Sequence, residues 1–393
     1  MKILFVTSRF PYPPVKGDKA IPYYRIKWMS KRHQITLLSF IDSSFSEKDL
    51  NHIRNYCSEV HLVPIKKGEV IKNLFFKIAG TLPFQVLYYR SKEFKRKVKS
   101  LVDSEAYDLI HVFMFRVGQY LVNYKNSPKI LELIDSMGLN MERRAEEEKG
   151  IKKIFFNCES ERSRAYEREI LRDFDKVVVV SQVDKDFIGE SNLQVVPIGV
   201  DETIFYPGDT IGPANDNVVI LTGRMDYFPN KNAAQYFLRK IWPVIKRMIP
   251  LAEFHIAGYG AKVFESYAIE DRSLKLFDSV KNIAENIRAA TVAVCPTLTG
   301  SGMQFKILEA LACGVPVVAT TRGKGGICIG EDDGLFSEDD PVKFAQKVAF
   351  LIQNRELRKT LSLRAHKAVL KGYSWNRSNE KISAIYDLIF EEQ

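Results

Sequence analysis

Apolar positions along the chain follow two alternating patterns: short runs apolar at nearly every residue, and longer stretches apolar on one face only. The runs "KILFVTSRF", "HQITLLSF", "EVHLVPI", "YDLIHVFMF", "KILELID", "KVVVVS" and "LQVVPIGV" occupy the first half. Continuous apolarity marks strands buried on both faces, as in a parallel sheet covered by helices. One-faced stretches separate the runs, from residues 20–32 to the charged "MERRAEEEKGIKKIFFNCESERSRAYEREILRDF", and predict helices between the strands. "PIGVDETIFYPGDTIGPANDN" (197–217) has no period and is rich in Pro, Gly, Asp and Asn, so it reads as a linker. The alternation then restarts with "VVILTGRM", a helix over 232–248, "AEFHIAG", "LKLFDS", a helix over 281–290, "TVAVCP", a helix over 303–313, "VPVVATT" and "GICIG". An amphipathic region runs from 341 to the end. Two successive α/β doubly wound sheets are expected, with ligands at the carboxyl ends of their strands.

Composition narrows the class without naming a chemistry. At 393 residues, 46% hydrophobic and 27% charged, the chain suits two soluble globular domains. It has no run of about 20 apolar residues that would span a membrane. "MKILFVTSRFPYPP" reads as a first strand, not a signal peptide, because Arg9 follows the apolar run and no small-residue cleavage site does. The five cysteines are scattered without a C-x-x-C pair, which argues against a disulfide framework or zinc site and fits a reducing cytoplasm. The net charge of +10 is uneven. Residues 1–200 hold 34 Lys and Arg against 25 Asp and Glu, whereas the remainder hold 24 against 23. Segment 66–99 alone carries ten basic and two acidic residues, with several aromatics, so an anionic partner is expected on the first half.

Four strand-to-helix junctions carry candidate chemistry. In "CPTLTGSGMQFKILEALA" a glycine loop enters a helix, where free N–H groups and the positive dipole end make an anion site. Gly300 and Gly302 allow close backbone approach, and Lys306 and Glu309 share a face at i, i+3. The alternative is a surface ion pair after a tight turn. "LTGRMDYFPNKNAAQYF" repeats the layout with Gly223, Arg224 and Lys231, the guanidinium fork suiting phosphate; an ordinary exposed Lys231 is the alternative. "PPVKGDKA" places Gly17 after the first strand, without the dinucleotide fingerprint, and a simple βα turn is equally consistent. "LIDSMGLN" ends a strand at Asp135, which either faces a substrate or caps the next helix. His111 lies inside a strand and reads as a core residue. The acidic triplets "DFD" (173–175) and "DKD" (184–186) read as caps, so no metal is expected.

The pieces "ILFVTSRFPYPPVKGD", "YEREILRDFDKVVVVSQVDKDF", "VVPIGVDETIFYP", "LTGRMDYFPNKNAAQYF" and "GSGMQFKILEALACGVPVVAT" resemble, in order and over nearly the whole chain, the retaining glycosyltransferases of family GT4. Among these the chain is most similar to bacterial sugar transferases of surface-polysaccharide clusters. The resemblance implies a GT-B fold: two doubly wound Rossmann-like domains facing across a cleft, with the C-terminal helix crossing back to the first. The implied domains are 1–203 for the acceptor, 204–372 for the nucleotide-sugar, and 373–393 as the returning helix. It implies Arg224 and Lys231 on the diphosphate, Glu309 on the ribose hydroxyls, Ser301, Gly302 and Met303 beside sugar and phosphate, and Lys306 and Gly223 in the donor site. Gly17 would face the diphosphate, and Asp135 the reacting sugar; Asp135, Arg224 and Lys231 form the implied catalytic set. Ser301 stands where the family has the first Glu of E-x7-E, and the Arg-to-Lys spacing is longer than the usual form. The implied donor is a UDP- or GDP-sugar, used without metal or cofactor.

The implied acceptor is a saccharide or polyprenyl-linked saccharide, reached from the inner face of the plasma membrane through the basic segment 66–99. Nucleic acid is not expected, since the basic residues cluster in one segment and spare the second half. A nucleotide-sugar epimerase on the same fold and a degenerate, non-catalytic binding module are the alternatives.

Overall fold

A computed structural model describes residues 1–15, 17–77, 80–208, 217–299 and 302–391. It divides into two units, Met1–Pro197 with Ser378–Gln393, and Ile198–Arg377.

The first unit is built on seven parallel strands: β1 (Lys2–Thr7), β2 (Gln34–Ile41), β3 (Glu59–Pro64), β4 (Leu109–Phe113), β5 (Lys129–Glu132), β6 (Lys176–Val179) and β7 (Leu193–Val195). Their order is β3-β2-β1-β4-β5-β6-β7. The direction of winding therefore reverses between β1 and β4, which pair in parallel. Ile3 to Val6, Leu109 to Phe113 and Val177 to Val179 are buried, as helices on both faces of a parallel sheet demand. Helix Lys92–Ser104 seats Phe94 on the core, stacked at 4.0 Å on Phe40 of β2.

One charged network lies inside this core. Arg25 donates to both carboxylate oxygens of Glu132 in β5, and also to Ser378 and Asn379. His111, in β4, places Nε2 3.0 Å from Glu132 and Nδ1 2.5 Å from the Tyr386 hydroxyl. The segment from Ser378 thus supplies two of the partners of the buried Arg25. Burial lowers the His111 pKa and keeps the ring neutral. The chain reading of His111 as a core residue matches this position.

The second unit has six parallel strands: β8 (Val218–Thr222), β9 (Glu253–Gly258), β10 (Leu274–Asp278), β11 (Val292–Cys295), β12 (Val317–Ala319) and β13 (Leu335–Ser337). Their order is β10-β9-β8-β11-β12-β13, with the reversal between β8 and β11.

Three local departures from the sequence pattern have physical causes. "GICIG" forms no strand: Ile327 and Ile329 are buried, but Gly325 at φ 52° turns the chain before them, and "LFS" supplies β13 instead. The helix expected over 232–248 becomes Phe228–Tyr236, a π-helical turn over Phe237–Ile241, and Trp242–Met248. Pro243 lacks the N–H that would continue the α ladder, and the turn widens to accommodate it. The acidic triplet at 173–175 does not cap a helix. Asp173 receives Lys125, Lys129 and the backbone N–H of Asn123, while Asp175 accepts the Lys129 N–H at 2.6 Å.

Candidate functional site

The second unit brings its two glycine-bearing junctions together at the reversal in its sheet. Gly223 follows β8 and Gly258 ends β9, with φ of 141° and 136°. A Cβ on Gly258 would sit 2.1 Å from the Gly223 carbonyl oxygen, and one on Gly223 would sit 2.8 Å from the Asn230 amide nitrogen. Neither position has room for a side chain. Arg224 follows directly. Its guanidinium forks onto Asp226 through Nε at 3.1 Å and Nη2 at 2.6 Å, and lies 4.3 Å above the Tyr259 ring.

Asn230 ties this junction to the other one. Its amide N–H donates to the Arg224 carbonyl at 2.9 Å, and its Oδ1 accepts from the Lys306 ammonium. Lys306 lies in the first turn of helix Phe305–Ala312, which begins after β11 and has no side-chain cap on its free N–H groups. Asn230 is buried and was missed in the sequence, where "PNKN" shows only a turn entering a helix.

Glu309, one turn further along, makes no ion pair with Lys306 and no side-chain hydrogen bond among the described residues. Its carboxyl is packed closely although the residue keeps some exposure. Burial pushes its pKa up to about 7, opposed in part by Lys306. A carboxyl set in a crevice without a donor of its own is suited to accept hydroxyl hydrogen bonds from a ligand. The surface ion pair considered as an alternative is absent.

Gly302, at φ 73°, and the buried Met303 complete the described part of the glycine loop; Gly300 and Ser301 lie outside the described residues. The Thr299 hydroxyl, before the loop, is buried without a partner among the described residues. Lys231 follows Asn230 in the first turn of helix Phe228–Tyr236 and makes no side-chain hydrogen bond or ion pair among the described residues. The structure therefore joins the Arg224 backbone and the Lys306 side chain through Asn230, with Gly223 and Lys231 adjoining them in the chain, Glu309 three residues along the Lys306 helix, and Gly302 and Met303 just before it.

The two remaining candidates belong to the first unit. Gly17 opens helix Gly17–Met29 after β1. Asp135 follows β5 but does not cap the next helix, Met137–Glu146: the cap is Ser136, and Asp135 accepts from Asn140 at 3.0 Å. Beside it Glu167 accepts from the N–H groups of Met137 and Gly138 and from the Ser136 hydroxyl. Burial raises the Glu167 pKa to about 7, with Asp135 adding to the shift.

Comparison with known proteins gives this geometry a context. Residues 216–354 match the family model described as Glycosyl transferases group 1, a span that includes every candidate of the second unit. The chain is 22% identical to an uncharacterized 44.6 kDa protein in the cps region of Klebsiella pneumoniae, over 100% of this chain and 99% of that one. It is similar in structure to sucrose-phosphate synthase from Thermosynechococcus elongatus, with a TM-score of 0.76 at 15% identity over 100% of both chains. It is also similar to Anabaena HepE, solved in complex with UDP and glucose, with a TM-score of 0.68 at 15% identity over 98% of this chain and 99% of that one. The two parallel-sheet Rossmann-like units are those of the GT-B fold.

Proposed function

With a group 1 glycosyltransferase domain over residues 216–354, we propose that the chain transfers a sugar from a UDP- or GDP-sugar to a saccharide acceptor with retention of anomeric configuration. The observation that carries this reading is the arrangement at the β8/β11 reversal: the Arg224 backbone and the Lys306 ammonium are held by one buried asparagine, Asn230, the Arg224 guanidinium forks onto Asp226 beside it, and the Glu309 carboxyl, without a partner among the described residues, lies one turn beyond Lys306. Open α/β sheets bind ligands at such reversals. Arg224, with Lys306 and Lys231, would neutralise the diphosphate; Glu309 would accept the ribose hydroxyls. The UDP and glucose bound by Anabaena HepE favour a uridine donor.

In the proposed reaction the bond between the anomeric carbon and the diphosphate oxygen breaks. The acceptor oxygen bonds to that carbon on the same face, and its proton passes to the departing diphosphate. The protein positions the partners and stabilises the charge that develops on the leaving group. Positive side chains fill that role, so neither metal nor cofactor is required. Asp135, beside Glu167, is the proposed contact to the reacting sugar.

The acceptor is proposed to be a saccharide or polyprenyl-linked saccharide of a cell-surface polysaccharide, consistent with the cps region of the Klebsiella relative. No described helix is long and apolar enough to cross a membrane, and a peripheral position on the inner membrane face is proposed. Supporting it, Ile71 and Phe75 are exposed one turn apart on helix Lys67–Lys77. Ile151 and Ile154 are exposed beside Lys152 and Lys153. Apolar side chains among lysines suit an anionic lipid interface. Sedimentation with anionic vesicles tests this; binding that survives neutralisation of Lys95, Arg96, Lys97 and Lys99 excludes the 66–99 segment as the contact.

The transfer itself is tested by proton NMR of the first sugar released from UDP-glucose, with and without EDTA. Release of the α anomer at an unchanged rate in EDTA is expected. Initial release of the β anomer, or a rate abolished by the chelator and restored by magnesium, contradicts the proposal.

A further inference from the structure

Two buried carboxylates of the first unit meet on one tripeptide, Ser136 to Gly138, just past the carboxyl ends of the paired strands β5 and β6. Asp184 is fully buried. It accepts the Ser136 N–H at 2.9 Å and the Ser181 hydroxyl. Glu167, from helix Gly150–Leu171, is 2% exposed and takes the donors that follow. These are the Ser136 hydroxyl at 2.9 Å and the N–H groups of Met137 at 2.6 Å and Gly138 at 3.4 Å. Each backbone N–H from 136 to 138 thus ends on a buried carboxylate.

The two helices close tightly around this clamp. A Cβ on Gly138 would lie 2.5 Å from Arg164 Cγ and 3.2 Å from Glu167 Oε2, so only glycine allows the approach. The Ser160 hydroxyl donates to the Gly138 carbonyl at 2.8 Å, holding the same residue by its other backbone group.

A helix start does not need so much. The Ser136 hydroxyl already caps the Leu139 N–H, and water can satisfy the remaining N–H groups of an ordinary helix. Glu167 is instead buried with no ion pair among the described residues, an arrangement that costs stability when the carboxyl is ionised. Burial raises its pKa to about 7, and Asp135 adds to the shift. Burial raises that of Asp184 as well, against the bonds from Ser181 and Ser136 and the charge of Arg143. The cation nearest in the chain, Arg164, is directed elsewhere: it lies on the Phe187 ring at 4.6 Å and 3.7 Å from Glu142. Buried acids perturbed in this way concentrate at functional sites, and Asp135, the proposed sugar contact, immediately precedes the clamped tripeptide.

We propose that Glu167 is a positioning residue for sugar transfer: with Asp184 it fixes the Ser136–Gly138 backbone and through it the direction of the Asp135 carboxyl. This rests on the transferase reading for its role. The ionised form of Glu167 is the working one, because it accepts from all three donors; a protonated carboxyl gives up acceptor capacity and loosens the segment.

The test is UDP-glucose hydrolysis by the full chain from pH 6 to 8 at saturating donor, where the titration of Glu309, which acts on affinity, is confined to KM. The wild-type kcat should rise through pH 7 as Glu167 ionises. Glu167→Gln should abolish that rise and lower kcat at pH 8 by about 10-fold or more, with KM for UDP-glucose within about 2-fold of wild type. Added to Asp135→Asn, it should cost little further, since both act through one group. In free protein labelled with carbon-13 at its carboxyl groups, the Asp135 resonance, assigned with Asp135→Asn, should show an inflection near pH 7 that Glu167→Gln removes. The wild type alone shows that inflection, so poor folding of the variant does not hide it. Unchanged kcat in Glu167→Gln, a pH-dependent rise retained in it, a loss confined to KM, or no inflection at Asp135 overturns the proposal. If the wild type hydrolyses no UDP-glucose, the transferase reading fails for that donor, and the Asp135 inflection still decides whether Glu167 governs Asp135.

Discussion

Glu309 is where the residue scale decides most. Its folded pKa, about 7, lies above the ordinary carboxyl value of 4.5. The folded chain therefore holds the proton more tightly than the unfolded one. Ionising Glu309 costs nothing below the unfolded value, costs progressively more as pH rises through 7, and carries its full cost above. Glu309→Gln should accordingly stabilise the free protein at pH 8, by of order 1–2 kcal/mol given its partial exposure, and by much less at pH 5. Denaturant midpoints at the two pH values check this. The same variant should weaken donor binding about 10- to 100-fold, the usual worth of a hydrogen bond to a charged group. Wild-type donor affinity should rise between pH 6 and 8, with the rise absent in Glu309→Gln. Arg224→Ala should lower kcat/KM by about 10²-fold or more, read from initial rates.

At the scale of elements, the Gly223–Gly258 contact holds the ends of β8 and β9 together. Gly258→Ala must displace the Gly223 carbonyl and adopt a φ that alanine resists, so a loss of about 2–4 kcal/mol is expected, measured by urea unfolding. The continuous apolar runs made the thirteen strands among the described residues almost entirely readable, because burial on both faces leaves no polar position to disguise them. β13 escaped because "GLFSEDD" shows only two apolar residues between a glycine and a run of acidic ones, whereas the equally short β7 and β12 lie in longer apolar runs, and the apolar "ICI" stood nearby. Arg224, Lys306 and Glu309 stood out as charges at strand-to-helix junctions. Asn230 did not, since an asparagine after proline signals a turn whether or not its amide joins two loops.

At the scale of the whole molecule, the chain leaves the first unit at Pro197 and returns to it at Ser378. Truncation after Arg377 would strip Ser378 and Asn379 from Arg25 and Tyr386 from His111. It should destabilise the first unit by about 3 kcal/mol or more, since a buried charge loses its partners; scanning calorimetry of the full and shortened chains reads this directly. Glu132, held down to about 2, adds stability above its unfolded pKa that is lost as pH falls toward 2. Buried neutral His111 loses stability as pH falls below its unfolded value, so acid weakens the same core twice. The most direct measurement of the whole reading is a donor panel. The purified chain, Arg224→Ala and Glu309→Ala are titrated with UDP-, GDP-, ADP- and CMP-sugars while thermal shift and released nucleotide are followed. A donor site at the β8/β11 reversal requires that one nucleotide-sugar stabilise the wild type and be slowly hydrolysed, with both variants losing the effect. If no nucleotide-sugar shifts the wild type, or if both variants bind it as tightly, the site is not a donor site.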